Sequence, residues 1–315
     1  MGTLEIIVSA LGQGVIYAPM AMGVFIAFRI LDTPDLTVDG SFVFGMTVCA
    51  VVTIAGHPVL AVLAGMAAGA AAGAVTGLLQ TSLRLNPILS GILTMTGLYT
   101  VNYAVLGSQA NLYLQTMLTN ANGSQTPMAS RTVYKMFAGL AGPGDTAALL
   151  LSTTIVAVCV VVLAIFFKTR PGMTIRATGD NEDMVRSSSI NADTAKIVGI
   201  ALANAFVGLS GALLCQQQRY ADLGCGSGML VVGLASVIIG QALLGRRGVT
   251  VGILSAVCGS VIYRLILQAA YKIDMPSYTV KLLSALIVTL ALALPVLKVK
   301  LEEIHRRQNA GKRAG

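Results

Sequence analysis

Three polar stretches interrupt an otherwise apolar chain of 315 residues, and they hold most of the side chains able to do chemistry. The first runs FRILDTPDLTVDGSF at 28–42, with Asp32, Asp35 and Asp39 between two apolar blocks. Pro34 and Gly40 disfavour a continuous helix there. A carboxylate at membrane depth is costly and faces an aqueous path or a partner charge. A broken helix at that depth must be buried in protein or line a cavity. The competing reading is a plain turn in which Asp39 caps the following helix. The second stretch, KTRPGMTIRATGDNEDMVRSSSINADTAK at 168–196, is the longest charged run before the tail. Pro171 and Gly172 end the preceding helix. Asp180 then reads as the N-cap of a short helix over 181–188, with Glu182 and Asp183 in its first turn offsetting the helix dipole. Asn191 and Asp193 turn the chain into the next span. This is the pattern of an exposed docking element or of an ordinary solvated loop. The third stretch, QQQRYADLGCGSG at 216–228, alternates Gly224, Gly226 and Gly228. That spacing does not match the dinucleotide fingerprint, no strand is expected before it, and it reads as a tight turn.

Catalytic, metal and cofactor patterns are absent. No G-x-x-x-x-G-K-[ST] loop occurs, so the chain does not hydrolyse ATP through a P-loop. The histidines are His57, beside Pro58 at the edge of an apolar block, and His305 in the tail; neither has ligand company. Cys49, Cys159, Cys215, Cys225 and Cys258 form no C-x-x-C pair, and read as packing residues rather than a disulfide framework.

The elements that must position the polar stretches are membrane spans. The chain is 55% hydrophobic and 11% charged, with a mean hydropathy of +0.79, against roughly 25% charged residues in soluble domains. Apolar blocks at 4–28, 42–55, 59–80, 88–106, 146–167, 195–217, 229–244, 249–270 and 278–297 approach the length that crosses a bilayer. The expected fold is an all-α polytopic membrane protein with about nine helices (eight to ten), some short or broken, in one domain over 1–315. No cleavable leader is expected, because no basic run precedes the first block. Arg29, Arg84, the 168–196 stretch, Arg246 and Arg247, and the basic tail at 298–315 fall on one side if nine spans alternate. The positive-inside rule makes that side cytoplasmic, with the N-terminus and 107–145 outside. A re-entrant 29–41 would leave the N-terminal orientation open. The net charge of +8 belongs to these loops and the tail, not to a nucleic-acid surface. Gly65, Gly69, Gly73 and Gly77 share one face of the third block, suited to close helix packing within the chain or between copies.

With these stretches in place, the chain resembles the permeases of bacterial ABC importers in the branched-chain amino acid and ribose permease superfamily. It is similar to the tryptophan/tyrosine-type or uncharacterised branch of that group. The resemblance rests on 28–42, on ILSGILTMTGLY at 88–99, on RATGDNE at 176–182, and on GALL at 211–214 followed by the glycines at 233 and 240. It covers nearly the whole chain. Ser187–Ser189 stand where a glycine before Ile190 is expected. The resemblance implies a homodimeric permease in the bacterial inner membrane, in contact with lipid and driven by a separate ABC ATPase subunit. A solute-binding protein outside would deliver a small solute, an amino acid or similar metabolite. Asp39 and Ser41, with Asn86 and Asn102, are then expected near the path or dimer axis. Arg176, Thr178, Gly179, Asp180, Asn181 and Glu182 are expected at the ATPase coupling element. An ion-coupled secondary carrier is the alternative, with Asp39, Arg264 and Lys281 as its intramembrane charges.

Overall fold

The computed structural model describes residues 3–119, 125–129, 131–141, 144–245 and 248–271, with helical positions at 282, 285, 286, 289 and 293. Arg246 and Arg247, Lys281, the rest of the ninth expected span and the tail at 298–315 lie outside the described residues. The helices in chain order are α1 (Thr3–Phe25), α2 (Val38–Ile54), α3 (Pro58–Thr81), α4 (Pro87–Val105), α5 (Val133–Ala141), α6 (Gly144–Phe166), α7 (Arg170–Asp180), α8 (Glu182–Ser187), α9 (Ala192–Gln218), α10 (Met229–Leu244) and α11 (Val249–Tyr271). Among the described residues seven helical segments are long and apolar enough to cross a membrane, and α2 is a shorter apolar helix. The polytopic all-helical architecture follows the apolar blocks closely.

α9 is the hub. It has 27 residues, about 40 Å at 1.5 Å per residue, and most of its length is buried against α1, α2 and α3. Its neighbours come close because glycines face it. A Cβ at Gly65 would lie 2.7 Å from the Ala212 Cβ, one at Gly73 2.5 Å from the Ile200 carbonyl, and one at Gly77 2.8 Å from the Ile197 Cα. Gly69 abuts the Asn204 carbonyl, and Gly45 of α2 meets Gly208 backbone to backbone. The glycine stripe of α3 is therefore closed inside one chain, not between copies. In lipid such contact supplies the dispersion energy that water-driven burial supplies in soluble proteins.

The contacts along α9 serve as a depth scale. α1 runs antiparallel to it: Ser210 Oγ donates to the Ile16 carbonyl at 2.7 Å, and Leu31 side-chain atoms lie 3.3 Å from a Cβ at Gly199. α2 runs parallel: Ser41 Oγ donates to Asn204 Oδ1 at 2.6 Å, and Gln216 Nε2 donates to Thr53 Oγ1 at 2.6 Å. Since Asn204 sits at the middle of α9, α2 starts halfway through the bundle. Residues 31–37 must climb there from the far end of α1, so the segment is re-entrant. α2 still leaves by the end at which α1 entered, and the alternation of spans is preserved. Arg29, Arg84 and the 168–196 stretch share one end of the bundle, in keeping with the charge pattern.

The opposite end departs from expectation. Residues 107–145, where the sequence shows no apolar block, hold β1 (Asn111–Tyr113), β2 (Gln115–Thr119) and β3 (Gln125–Ala129) before α5. β2 and β3 form an antiparallel hairpin, and β1 pairs antiparallel with β4 (Tyr220–Asp222), Leu112 opposite Ala221. The 216–228 stretch is thus a strand followed by a 3-10 turn (Leu223–Gly226), not a simple turn. Each strand of the β1–β4 pair has three residues, and they pair across more than a hundred positions, a distance at which alternation carries no signal.

Gly208→Val replaces a hydrogen that faces backbone on α3, so it should lower the unfolding free energy by about 1–3 kcal/mol or more. Gly97→Ala on α4 meets nothing within 4 Å and should be tolerated. Thermal unfolding of the detergent-solubilised chain distinguishes the two; equal behaviour would contradict the packing.

Candidate functional site

The re-entrant segment is fixed by one buried carboxylate. Asp35 is fully buried. Its Oδ1 accepts from the Thr37 N–H at 2.8 Å, and its Oδ2 accepts from Asn204 Nδ2 at 2.6 Å. Asn204 also donates to the Ile200 carbonyl at 3.1 Å and accepts from Ser41. Thr37 Oγ1 lies 2.7 Å from Thr76 Oγ1 on α3. One network thus joins 31–37, α2, α3 and α9. A buried polar group without partners costs several kcal/mol in such surroundings, and hydrogen bonds to a carboxylate are among the strong ones.

Asp39 does not cap its own helix. Thr37 occupies the N-cap position of α2, and Asp39 lies in the first turn. Its carboxylate crosses instead to α10, accepting from Gly228 N–H at 3.0 Å and Leu230 N–H at 2.8 Å. α10 otherwise has no side-chain cap. An acidic group from α2 therefore satisfies the exposed N–H groups and the positive end of α10, a helix of 16 residues. The Asp39 carbonyl sits against Gly226, where a side chain would clash. Two helix N-termini meet at mid-depth, held by backbone contact and one carboxylate.

Beside this junction is a cleft of about 450 Å³ between α2, α4 and the 3-10 turn, lined by Asp39, Met95, Thr96, Tyr99, Asn102, Gly224 and Ser227 among others. Asn102 is held by Thr47 Oγ1 and the Gly40 carbonyl, both at 3.4 Å. Hydroxyl, carboxamide, aromatic and thioether groups together suit a small solute with both polar and apolar parts. Among the described residues no group of three metal-ligating side chains occurs.

Asp39 and Asn102 therefore converge on one cleft. Ser41 lies behind it, buried, with its hydroxyl on Asn204. Asn86 is elsewhere: it is exposed and caps α4, accepting from the Ile88 N–H at 2.9 Å. Asn204 and Thr76 escaped the sequence reading. The available signal was a lone carboxamide in a 27-residue apolar helix and a threonine in a run of glycine and alanine. Arg264 lies with its guanidinium 3.5 Å from the centroid of the Tyr17 ring, and Tyr17 stacks on Phe42 at 6.0 Å. A cation–π contact of this kind accommodates a charge inside a bundle.

The charged stretch forms two helices rather than one. Pro171 sits in the first turn of α7, where its missing N–H is harmless, so it opens a helix rather than ending one; α6 has already stopped at Phe166. Asp180 is not a cap; it is the last residue of α7, because Asn181 N–H still bonds the Ala177 carbonyl at 2.9 Å. Asn181 is the cap of α8, its Oδ1 accepting from Met184 N–H at 3.0 Å. Thr178 is buried, and Gly179 presses on the Ile30 carbonyl at the end of α1. Glu182 pairs with Arg186 at 2.9 Å and Lys196 of α9 at 2.5 Å, and Arg186 reaches Asp193. The Lys196 ammonium first, then Arg186, holds the Glu182 carboxyl below the usual carboxylate range. Arg176 and Asp180 line a second cleft, between α7 and the ends of α1, α10 and α11.

Asp39→Ala strips the acceptor from two N–H groups of α10 and should cost about 0.5–2 kcal/mol of stability, as loss of a cap does. Asp39→Asn keeps one acceptor and should remain closer to wild type in thermal unfolding while still reducing solute uptake. Wild-type uptake in Asp39→Asn would remove any role for the charge.

The model of the family described as "Branched-chain amino acid transport system / permease component" matches residues 6–292. A tyrosine transport system permease protein of Clostridioides difficile (strain R20291) is 32% identical over 302 residues, covering 96% of this chain and 95% of that protein. An uncharacterized protein of Rickettsia prowazekii (strain Madrid E) is 28% identical over 243 residues, 76% of this chain and 78% of that one. No solved structure matches. Spans, broken helices and full-length similarity agree: the chain is a multi-pass membrane transport component and belongs to the family of permease components of branched-chain amino acid transport systems.

Proposed function

We propose that this permease is the membrane subunit of an ATP-driven importer in a bacterial inner membrane. Two copies form the pore, an extracytoplasmic binding protein delivers the solute, and a separate ABC ATPase docks on the basic, cytoplasmic end. The solute is an amino acid or similar small metabolite; the tyrosine system of the Clostridioides relative supports an aromatic one. The cleft beside Asp39 and Asn102 is its route, with polar groups for the backbone of the solute and Tyr99 and Met95 for its side chain. Asp39, each of whose oxygens already accepts from a backbone N–H of the α10 start, weighs against an ion-coupled carrier, which would need a carboxylate free to take up the coupling ion.

The observation that carries the reading is the α7–α8 segment. It is short, charged on its exposed side and fastened to two spans: through Gly179 to the end of α1, and through Glu182 and Lys196 to α9. Closure of an ATPase pair beneath it would move both spans. Arg176, Thr178, Gly179, Asp180, Asn181 and Glu182 then form the coupling element, with Asn181 rather than Asp180 providing its cap.

Asn181→Ala with Glu182→Ala should leave insertion intact and cut the ATPase stimulation by loaded binding protein at least several-fold in the reconstituted complex. Normal stimulation would reduce the segment to a solvated loop. The same ion pairs set a pH dependence. Because the folded Glu182 carboxyl is depressed, its stabilising contribution is complete above the ordinary carboxylate range and is lost as pH falls through the depressed value. Coupling should therefore weaken on acidification below that range, and less so in Glu182→Gln, which has little left to lose.

A further inference from the structure

α6 runs along the outside of the bundle. Its apolar stretch is only 17% buried, and Val158, Val161, Val162 and Ile165 are each more than half exposed. In a membrane-spanning helix that face meets lipid tails. The helix ends at Phe166, and the chain turns without leaving that level. Lys168 N–H bonds the Ile165 carbonyl at 3.0 Å, which sets Lys168 one turn beyond the last lipid-facing residue. A Cβ on Gly172 would lie 2.6 Å from the Phe167 Cα and would strike the Phe166 carbonyl, so the first turn of α7 is folded back on the end of α6. Lys168 and Arg170 therefore stand where the hydrocarbon stops and the headgroups begin.

α7 has two faces. Gly172, Ile175 and Thr178 are buried. Arg170, Met173 and Arg176 are exposed at every third position, a stripe on the other side. A thioether between two guanidinium groups is an interfacial pattern, with apolar contact at the acyl boundary and cations beside it. The charges are also sorted along the chain. From 146 to 179 there is no Asp or Glu, and the carboxylates begin at Asp180, Glu182 and Asp183. Ion pairs among the described residues use Glu182, Arg186, Asp193 and Lys196, and leave Lys168 and Arg170 without a carboxylate. The cationic half of the segment is the one beside α6 and the lipid. The acidic half lies beyond it, tied to α9.

We propose that the face formed by Lys168, Arg170 and Met173 docks on the bilayer and gathers anionic phospholipid headgroups from the leaflet at the basic end of the bundle. Ammonium and guanidinium groups donate to phosphate oxygens, and no carboxylate competes for these two. A zwitterionic headgroup brings a cation of its own and is the poorer match. A protein partner would find the acidic half, with the exposed Met184 and Ile190, instead. The element is then divided: α7 rests on lipid, and α8 is left for the subunit that drives transport. That division rests on the reading of α7–α8 as the coupling element; the lipid contact does not.

The chain contains no tryptophan, so Met173→Trp places a single indole on this face. The purified full-length permease would be set in nanodiscs of phosphatidylcholine with a minority of phosphatidylglycerol, with bromine quencher on the acyl chains of one lipid and then of the other. Quenching is expected from both, and per mole fraction about threefold or more stronger from phosphatidylglycerol. The preference should vanish in Lys168→Gln with Arg170→Gln, and at about 1 M salt. Lys168→Arg with Arg170→Lys keeps both charges and should keep it. Phosphatidylglycerol should also raise the unfolding temperature of the unaltered chain and not of the Gln pair; this comparison decides the matter if the tryptophan variant does not fold. An unquenched indole, equal quenching by the two lipids, or a preference unchanged in the Gln pair overturns the proposal. Protection of the indole once the ATPase is bound would assign the face to that subunit and overturn it as well. No ATPase or binding protein enters the lipid measurements, so failure of the importer reading leaves the lipid contact standing, and a missing preference leaves the importer reading intact.

Discussion

A single carboxylate, Asp35, decides where this bundle is broken. Its two oxygens are taken by the Thr37 backbone and the Asn204 side chain, at the middle of the longest buried helix. The chain leaving α1 must therefore turn back into the bundle before α2 can begin. Once α2 begins at mid-depth, Asp39 stands level with the start of α10 and supplies the cap that α10 lacks on its own. The cleft beside Asn102 exists because two helix ends, rather than two continuous helices, meet there. Polar backbone at membrane depth needs a protein partner or an aqueous cavity; here it has both.

The second condition is close approach. Hydrogen bonds of 2.6–2.7 Å that join Ser41 of α2 and Asp35 to Asn204 of α9, and Thr37 to Thr76 of α3, require the helix axes to be near. Glycines at 45, 69 and 73 on one side and Gly208 on the other permit that distance. The glycine face and the Asp35 network depend on each other. Larger residues would pull the polar atoms out of range, and without the polar network nothing would fix the register of so smooth a surface. The same device is repeated at the basic end, where Gly179 brings α7 onto α1 and leaves the ion pairs of Glu182 to set its angle.

Much of this was legible beforehand. Eight of the nine apolar blocks correspond to helices among the described residues, with boundaries that shift by only a few residues, and most of the ninth lies outside them. Pro34, Gly40 and three aspartates marked the broken segment. What the residues did not reveal was who answers whom. Asp39 carried the usual marks of a local cap, yet it caps a helix about 190 positions away, a pairing that local preference cannot encode. Asp180 and Asn181 have nearly equal cap preference, and one additional helical hydrogen bond at Asn181 decided between them. The strand pair β1–β4 is fixed by tertiary proximity over three residues. Asn86 resembled a polar group at a span's edge and is one, but it serves its own helix.

The central claim is that Asp35 and Asn204 act as one unit, and a double-mutant cycle measures it most directly. Unfolding free energies would be compared for wild type, Asp35→Ala, Asn204→Ala and the double variant, in one detergent and at one pH. Each single change leaves a buried polar partner unsatisfied, so each should be costly, and the double variant should lose less than the sum by about 1–2 kcal/mol. Additivity within about 0.5 kcal/mol would contradict the account, because the re-entrant segment would then be held by something other than this bond.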